Sequence, residues 1–284
     1  MRYRTLQLPD GPHVVADGPD GPRLAAGGAN RTLSDLLALP AGERDAALAP
    51  GDPAPADAPA LAPLRPAAIV CIGLNYADHV RETGMETPKR PLVFAKLPQS
   101  VIGPDEAILI DASVTGQVDW EVDLAVVIGE SARNVSVAGA LDHVFGYTVA
   151  NDVSARDLQF ADGQWVRAKS LDTFCPLGPV VVSADEIADP QSLALRTRVN
   201  GEVVQDSNTS EMIFGVAELI AFCSRSFTLR PGDVLLTGTP WGCGAFMDPP
   251  RFLAPGDTVE TEVEGLGILV NPVVGARAAV VGPA

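Results

Sequence analysis

Val118-Asp119-Trp120-Glu121-Val122-Asp123-Leu124-Ala125-Val126-Val127-Ile128-Gly129 joins a β-branched run to three acids. A strand sends alternate side chains to opposite faces. One face is then Trp120, Val122, Leu124, Val126 and Ile128, all apolar. The other carries Asp119, Glu121 and Asp123 before turning to Ala125 and Val127. Acids are poor strand formers, and three on one face repel each other unless something positive sits among them. A wet face on a half-buried strand tolerates them. A hard divalent cation, which prefers oxygen ligands, resolves the conflict outright.

Short β-branched runs between Gly/Pro turns continue on both sides, at residues 69–72, 91–94, 180–183, 195–199, 234–237 and 258–263. Arg230-Pro231-Gly232-Asp233 recurs in form as Ala254-Pro255-Gly256-Asp257, two tight turns each leading into a strand. One helix is expected from about Ser210 to Ser224, with Asn208 as its N-cap. The pattern predicts a strand-dominated α+β domain over residues 66–284, not a βαβ alternation. The first 65 residues differ in texture. A strand-like stretch from Tyr3 to Leu8 precedes Asp-Gly-Pro turns and a helical pattern at Leu33, Leu36, Leu37 and Leu39, capped by Asn30 or Thr32. An Ala/Pro-rich run to Pro66 then reads as a linker, which makes residues 1–65 a small N-terminal extension.

The chain's 284 residues and 46% apolar content suit one large domain. Its net charge of −16 argues against nucleic acid and anionic membranes as partners. Cys71, Cys175, Cys223 and Cys243 are widely spaced and read as reduced core thiols. Neither a signal peptide nor a membrane-spanning apolar run is apparent, so cytoplasm is the expected location. Gly-x-Gly-x-x-Gly, Gly-x-Ser-x-Gly and His-Glu-x-x-His are all missing, which disfavours a dinucleotide site, a serine hydrolase and a zinc protease.

Four further segments bear on chemistry. Asp152 ends a strand-like run and suits either a helix cap or an ion ligand. His79 and Glu82, at i, i+3 on a short helix, would form a carboxylate–imidazole pair usable as a general base, or an incidental surface pair. Lys169 precedes a run that reads as buried and therefore needs an anionic partner. Thr239 follows a strand in a glycine-rich loop whose N–H groups could receive a carboxylate.

Asn75-Tyr76-x-x-His79-x-x-Glu82, Asp119-Trp120-Glu121-x-Asp123, Asn151-Asp152-x-Ser154-x-Arg156-Asp157-x-Gln159, Lys169-Ser170-x-Asp172-Thr173-Phe174 and Thr237-Gly238-Thr239-Pro240 occur here in one chain. Together the set resembles the fumarylacetoacetate hydrolase family, over about residues 69–273. The resemblance implies a roll of mixed β-sheets and a homodimer. It implies Mg²⁺ or Mn²⁺ on Glu121, Asp123 and Asp152, and a His79/Glu82 dyad, often carried on a lid, that activates water or moves a proton. Lys169 would stabilise developing enolate charge, while Arg156, Gln159, Thr239 and Lys96 would contact a small 2-oxo acid. One position departs from the family pattern: the second ligand is commonly Glu, and Asp123 is one methylene shorter. Hydrolysis of a C–C bond in an acylpyruvate-like or 1,3-diketo acid is the first expectation. Decarboxylation or isomerisation of a 2-oxo acid is the alternative, and a catalytically silent binding protein the lesser one, disfavoured because His79 and Glu82 are both present.

Overall fold

The computed structural model describes residues 1–19 and 21–276. Its main element is a twelve-stranded sheet. In spatial order its central strands are Cys175–Ser183, Val144–Asn151, Val122–Ile128, Val234–Leu236, Ile69–Gly73 and Leu92–Lys96. Val122–Ile128 runs antiparallel to Val144–Asn151 and Val234–Leu236, whereas Val234–Leu236 and Ile69–Gly73 are parallel. A separate five-stranded sheet is built from Glu202–Asn208, Ala194–Val199, Thr258–Val263, Gly267–Gly275 and Ile108–Ile110. The strand-dominated α+β fold matches expectation.

Val122–Ile128 is buried throughout, so neither of its faces is wet. Val122, Leu124, Val126 and Ile128 pack into one core with Leu219, Ile220 and Cys223 of the helix Val216–Ser226. Ala125 and Val127 enter another, shared with Leu33, Leu36 and Leu37. The alternation does not extend back through the acids. The strand stops at Val122, and Val118–Asp119 forms a separate short ladder with Ser154–Ala155. Side chains replace the missing rungs: Glu121 N–H donates to Asn151 Oδ1 at 3.0 Å, and Val122 N–H to Gln205 Oε1 at 3.0 Å. Trp120 therefore enters a third core, and Asp119 leaves the face that Glu121 and Asp123 share.

The expected helix from Ser210 is displaced. Asn208 caps only a single 3₁₀ turn, Thr209–Glu211, and the helix begins at Val216, where the Glu218 carboxylate accepts from Gly215 N–H. Ile213 N–H and Phe214 N–H donate instead to the Asn75 carbonyl and side chain. These tertiary bonds hold the intervening residues extended.

Residues 1–65 are woven into the main sheet. Arg2–Leu8 pairs with Cys175–Ser183, while Gly11–Gly18, Gly21–Ala29 and Pro50–Pro53 add outward from it. Thr32 caps the helix Leu33–Leu37, as its sequence suggests. The Ala/Pro-rich run is tied down rather than free, because Ala60–Leu61 pairs with Arg2–Leu8. Among the described residues no helix is long and apolar enough to cross a membrane.

Candidate active site

Glu121, Asp123 and Asp152 converge at the end of the central strands. Each offers a carboxylate oxygen within 4.8 Å of the others, and all three are buried. Backbone register brings them together: Asp152 follows the strand Val144–Asn151, and its N–H donates to the Glu121 carbonyl at 2.8 Å. Asp123 sits on Val122–Ile128 and accepts from Gly238 N–H at 2.6 Å. Gly238 has φ +100°, and a Cβ there would meet the Ile72 carbonyl at 3.0 Å, so glycine alone suits the turn that aims this N–H.

Buried cations knit the cluster together. Lys169 Nζ bridges Glu121 at 2.8 Å and Asp152 at 2.9 Å, and Lys96 Nζ reaches Asp152 at 2.6 Å. Arg156 pairs with Glu121 at 2.7 Å and with Asp119 at 2.8 Å, and it donates to Gln159 Oε1 at 2.8 Å. Burial alone would raise the Glu121 pKa, but the charges of Lys169 and Arg156 outweigh it and hold the group at about 2. Burial lowers and Asp152 and Glu121 raise the Lys169 pKa, with the upward effect larger, so the ammonium stays charged. Asp123 is the exception. Burial, then the neighbouring Asp152 and Glu121, push its pKa well up, and Asp123 Oδ2 is buried without a hydrogen-bond partner.

That orphaned oxygen, beside two carboxylates in an all-oxygen set, fits a hard divalent cation. The shorter arm of Asp123 still brings its oxygen within reach of the other two. In the metal-free protein, Asp123→Asn is expected to be at least as stable as the parent at neutral pH. A carboxyl whose folded pKa is raised loses stability as pH climbs above its ordinary 3.8, whereas an amide does not titrate. Mn²⁺ affinity is expected to fall by at least the ~10–100-fold that losing a ligand's supporting contact costs. Mn²⁺ titration and thermal unfolding check both parts, and an unchanged affinity would remove Asp123 from the ion site.

The dyad predicted at His79 and Glu82 forms on the helix Ala77–Thr83, with His79 Nδ1 2.9 Å from Glu82 Oε2. Glu82 Oε1 accepts from Gly242 N–H at 2.8 Å, and the Phe246 ring meets the imidazole edge-on at 5.5 Å. The pair is thus docked onto the loop after Thr239. His79, Glu121, Arg156, Gln159, Lys169 and Thr239 all line one cleft of about 270 Å³. Lys96 does not line it; it stands behind Asp152, where it donates to the Val153 carbonyl as well.

Two contributors escaped the sequence pattern. Asp119, grouped by alternation with the other acids, is instead a clamp: it accepts from Gly244 and Ala245 N–H while pairing with Arg156. Gln205 joins Thr239 Oγ1 and the Pro240 carbonyl to the Val122 N–H. An isolated glutamine at an inward position of a strand was the available signal for it.

The fumarylacetoacetate (FAA) hydrolase C-terminal family model matches residues 68–274. The chain belongs to the fumarylacetoacetate hydrolase family. It is 50% identical over 216 residues to the rat mitochondrial oxaloacetate tautomerase Fahd2a, covering 75% of this chain and 69% of that one. A fumarylacetoacetate hydrolase structure from Exiguobacterium antarcticum superposes with TM-score 0.87 at 35% identity, covering 97% of this chain and all of the other. A 5-carboxymethyl-2-hydroxymuconate delta-isomerase structure from Mycobacterium smegmatis gives 0.79 at 39%, covering 98% of this chain and 100% of that one.

Proposed function

We propose that this protein is an isomerase of 2-oxo acids that interconverts keto and enol forms, assisted by Mg²⁺ or Mn²⁺ held by Glu121, Asp123 and Asp152. The observation that supports this reading most is a buried imidazole, held from behind by Glu82, that lines the same cleft as a lysine clamped between two acids. When bound, the ion would supply Lewis-acid polarisation of the substrate's oxo and carboxylate oxygens.

With Glu82 accepting from Nδ1–H, the free Nε2 of His79 is the base that removes a proton from C3 of the keto acid. The electron pair moves to the C2 oxygen, where charge develops. Lys169 stays protonated and donates a hydrogen bond toward that oxygen. The enolate oxygen then takes a proton from water to give the enol, while the imidazolium releases the C3 proton to water. In the reverse direction the enol O–H proton is lost to water and the imidazolium gives a proton to C3. Water attack is not needed. The tautomerase, at 50% identity, and the delta-isomerase favour such proton transfer over the C–C hydrolysis that the motifs first suggested, while the Exiguobacterium structure, at 35% identity, bears a hydrolase's name.

The test follows enol absorbance of oxaloacetate, pyruvate release, and cleavage of acylpyruvates in parallel, with Mg²⁺, Mn²⁺ or EDTA. The expected result is ion-dependent tautomerisation without pyruvate release. Acylpyruvate cleavage at the higher kcat/KM would restore the hydrolase reading, and pyruvate from oxaloacetate would make the protein a decarboxylase.

A further inference from the structure

We propose that the cleft contains an apolar subsite, walled by Phe94, Trp165, Phe160 and Met85, that receives an alkyl or aryl tail on the 2-oxo acid. This rests on the reading of the site given above and narrows its substrate class.

Space is the first argument. At about 30 Å³ per water, the cleft's 270 Å³ holds roughly nine waters, and one carboxylate with its adjacent carbonyl displaces only a few of them. The remainder is bounded by carbon. The Phe94 and Trp165 rings meet edge-on at 5.2 Å, and Lys169 Nζ lies 5.3 Å from the Phe94 centroid, so the aromatic wall begins beside the charged end. Gly73 makes room for it: a Cβ there would fall 2.5 Å from Trp165 Cζ3. At the mouth, Phe160 is 60% and Met85 48% exposed, apolar surface that a substrate tail would take out of water.

Charge is the second argument. Lys169 spends two N–H groups on Glu121 and Asp152 and its third on the substrate's C2 oxygen, and Arg156 is paired with Asp119, Glu121 and Gln159. Among the described cationic side chains lining the cleft, Arg156 Nη2 is the one buried nitrogen without a partner. That nitrogen is enclosed, and a small shift of the guanidinium toward the cleft would let it meet the single carboxylate that every 2-oxo acid carries. A second carboxylate would be desolvated against aromatic rings with no further cation among the described lining residues to pair it. Lys89 and Arg90 are exposed and line a different depression.

Isothermal titration calorimetry with Mg²⁺ present, using phenylpyruvate and oxaloacetate as probes, separates the alternatives. Phenylpyruvate is expected to bind about tenfold or more tightly, the scale of discrimination a hydrophobic pocket gives. Trp165→Ala should remove that preference. Phe160→Arg, a change at an exposed position, should shift it toward oxaloacetate and keeps the test decisive if Trp165→Ala does not fold. Equal or tighter oxaloacetate binding by the parent would overturn the subsite, as would a phenyl preference untouched by Phe160→Arg. Turnover is read separately. The expected binding order without tautomerisation of either acid would defeat the proposed reaction and leave the subsite standing. Tautomerisation of oxaloacetate with no gain from the phenyl tail would do the reverse.

Discussion

His79→Ala is expected to lower kcat for 2-oxo-acid tautomerisation by about 10²–10⁴-fold, the usual contribution of a positioned general base. Mn²⁺ affinity and the thermal unfolding midpoint should stay close to the parent's. The separation follows from where the imidazole sits. It is bound through Nδ1 to Glu82, it rests against the edge of Phe246, and it makes no hydrogen bond to Glu121, Asp123 or Asp152. Glu82 keeps its bond from Gly242 N–H when the imidazole is removed, so the helix Ala77–Thr83 retains one tie to the loop after Thr239. Steady-state kinetics beside a Mn²⁺ titration check the split. A kcat near the parent's would strip His79 of the base role, and a matching loss of Mn²⁺ affinity would make the dyad part of the ion site.

The dyad was legible because i, i+3 spacing on a short helix fixes geometry locally, whatever the rest of the chain does. The acids were legible for a different reason: strand chemistry and charge conflict, and a cation relieves the conflict. What sequence could not supply was distance. Lys169 and Lys96 lie 17 and 56 residues from Asp152 along the chain, and only the folded sheet shows that both reach it. Alternation also failed at Trp120 and Glu121, because Asn151 and Gln205 side chains substitute for ladder partners there and rotate Asp119 onto Arg156. The displaced start of the helix at Val216 has the same origin. Asn75, far away in sequence, captures the backbone of Ile213 and Phe214, and local capping signals at Asn208 cannot register that competition.

Lys169→Met is expected to destabilise the metal-free protein by about 3–5 kcal/mol at neutral pH, the usual cost of removing one partner from a buried ion pair. The side chain is 2% exposed and bonds two carboxylates, so methionine of similar length would fill the space but leave the two acids unbridged, Glu121 still paired with Arg156 and Asp152 with Lys96. The dependence on pH carries the sign. Against the pull of burial, Lys169 and Arg156 hold the Glu121 pKa at about 2, below its ordinary 4.5. Its contribution is therefore present above pH 4.5 and is lost as pH falls toward 2. Without Lys169 that pKa should rise, because burial is then opposed chiefly by Arg156. The variant's deficit should accordingly shrink on acidification, as carboxyls that can no longer be held ionised take up protons. Mn²⁺ should restore part of the lost stability at neutral pH, since an ion between Glu121, Asp123 and Asp152 supplies the positive charge that the lysine had provided. Thermal unfolding of parent and variant across pH, with EDTA or Mn²⁺, reads all three effects. A deficit constant in pH and indifferent to Mn²⁺ would mean that packing, and not charge, is what Lys169 contributes.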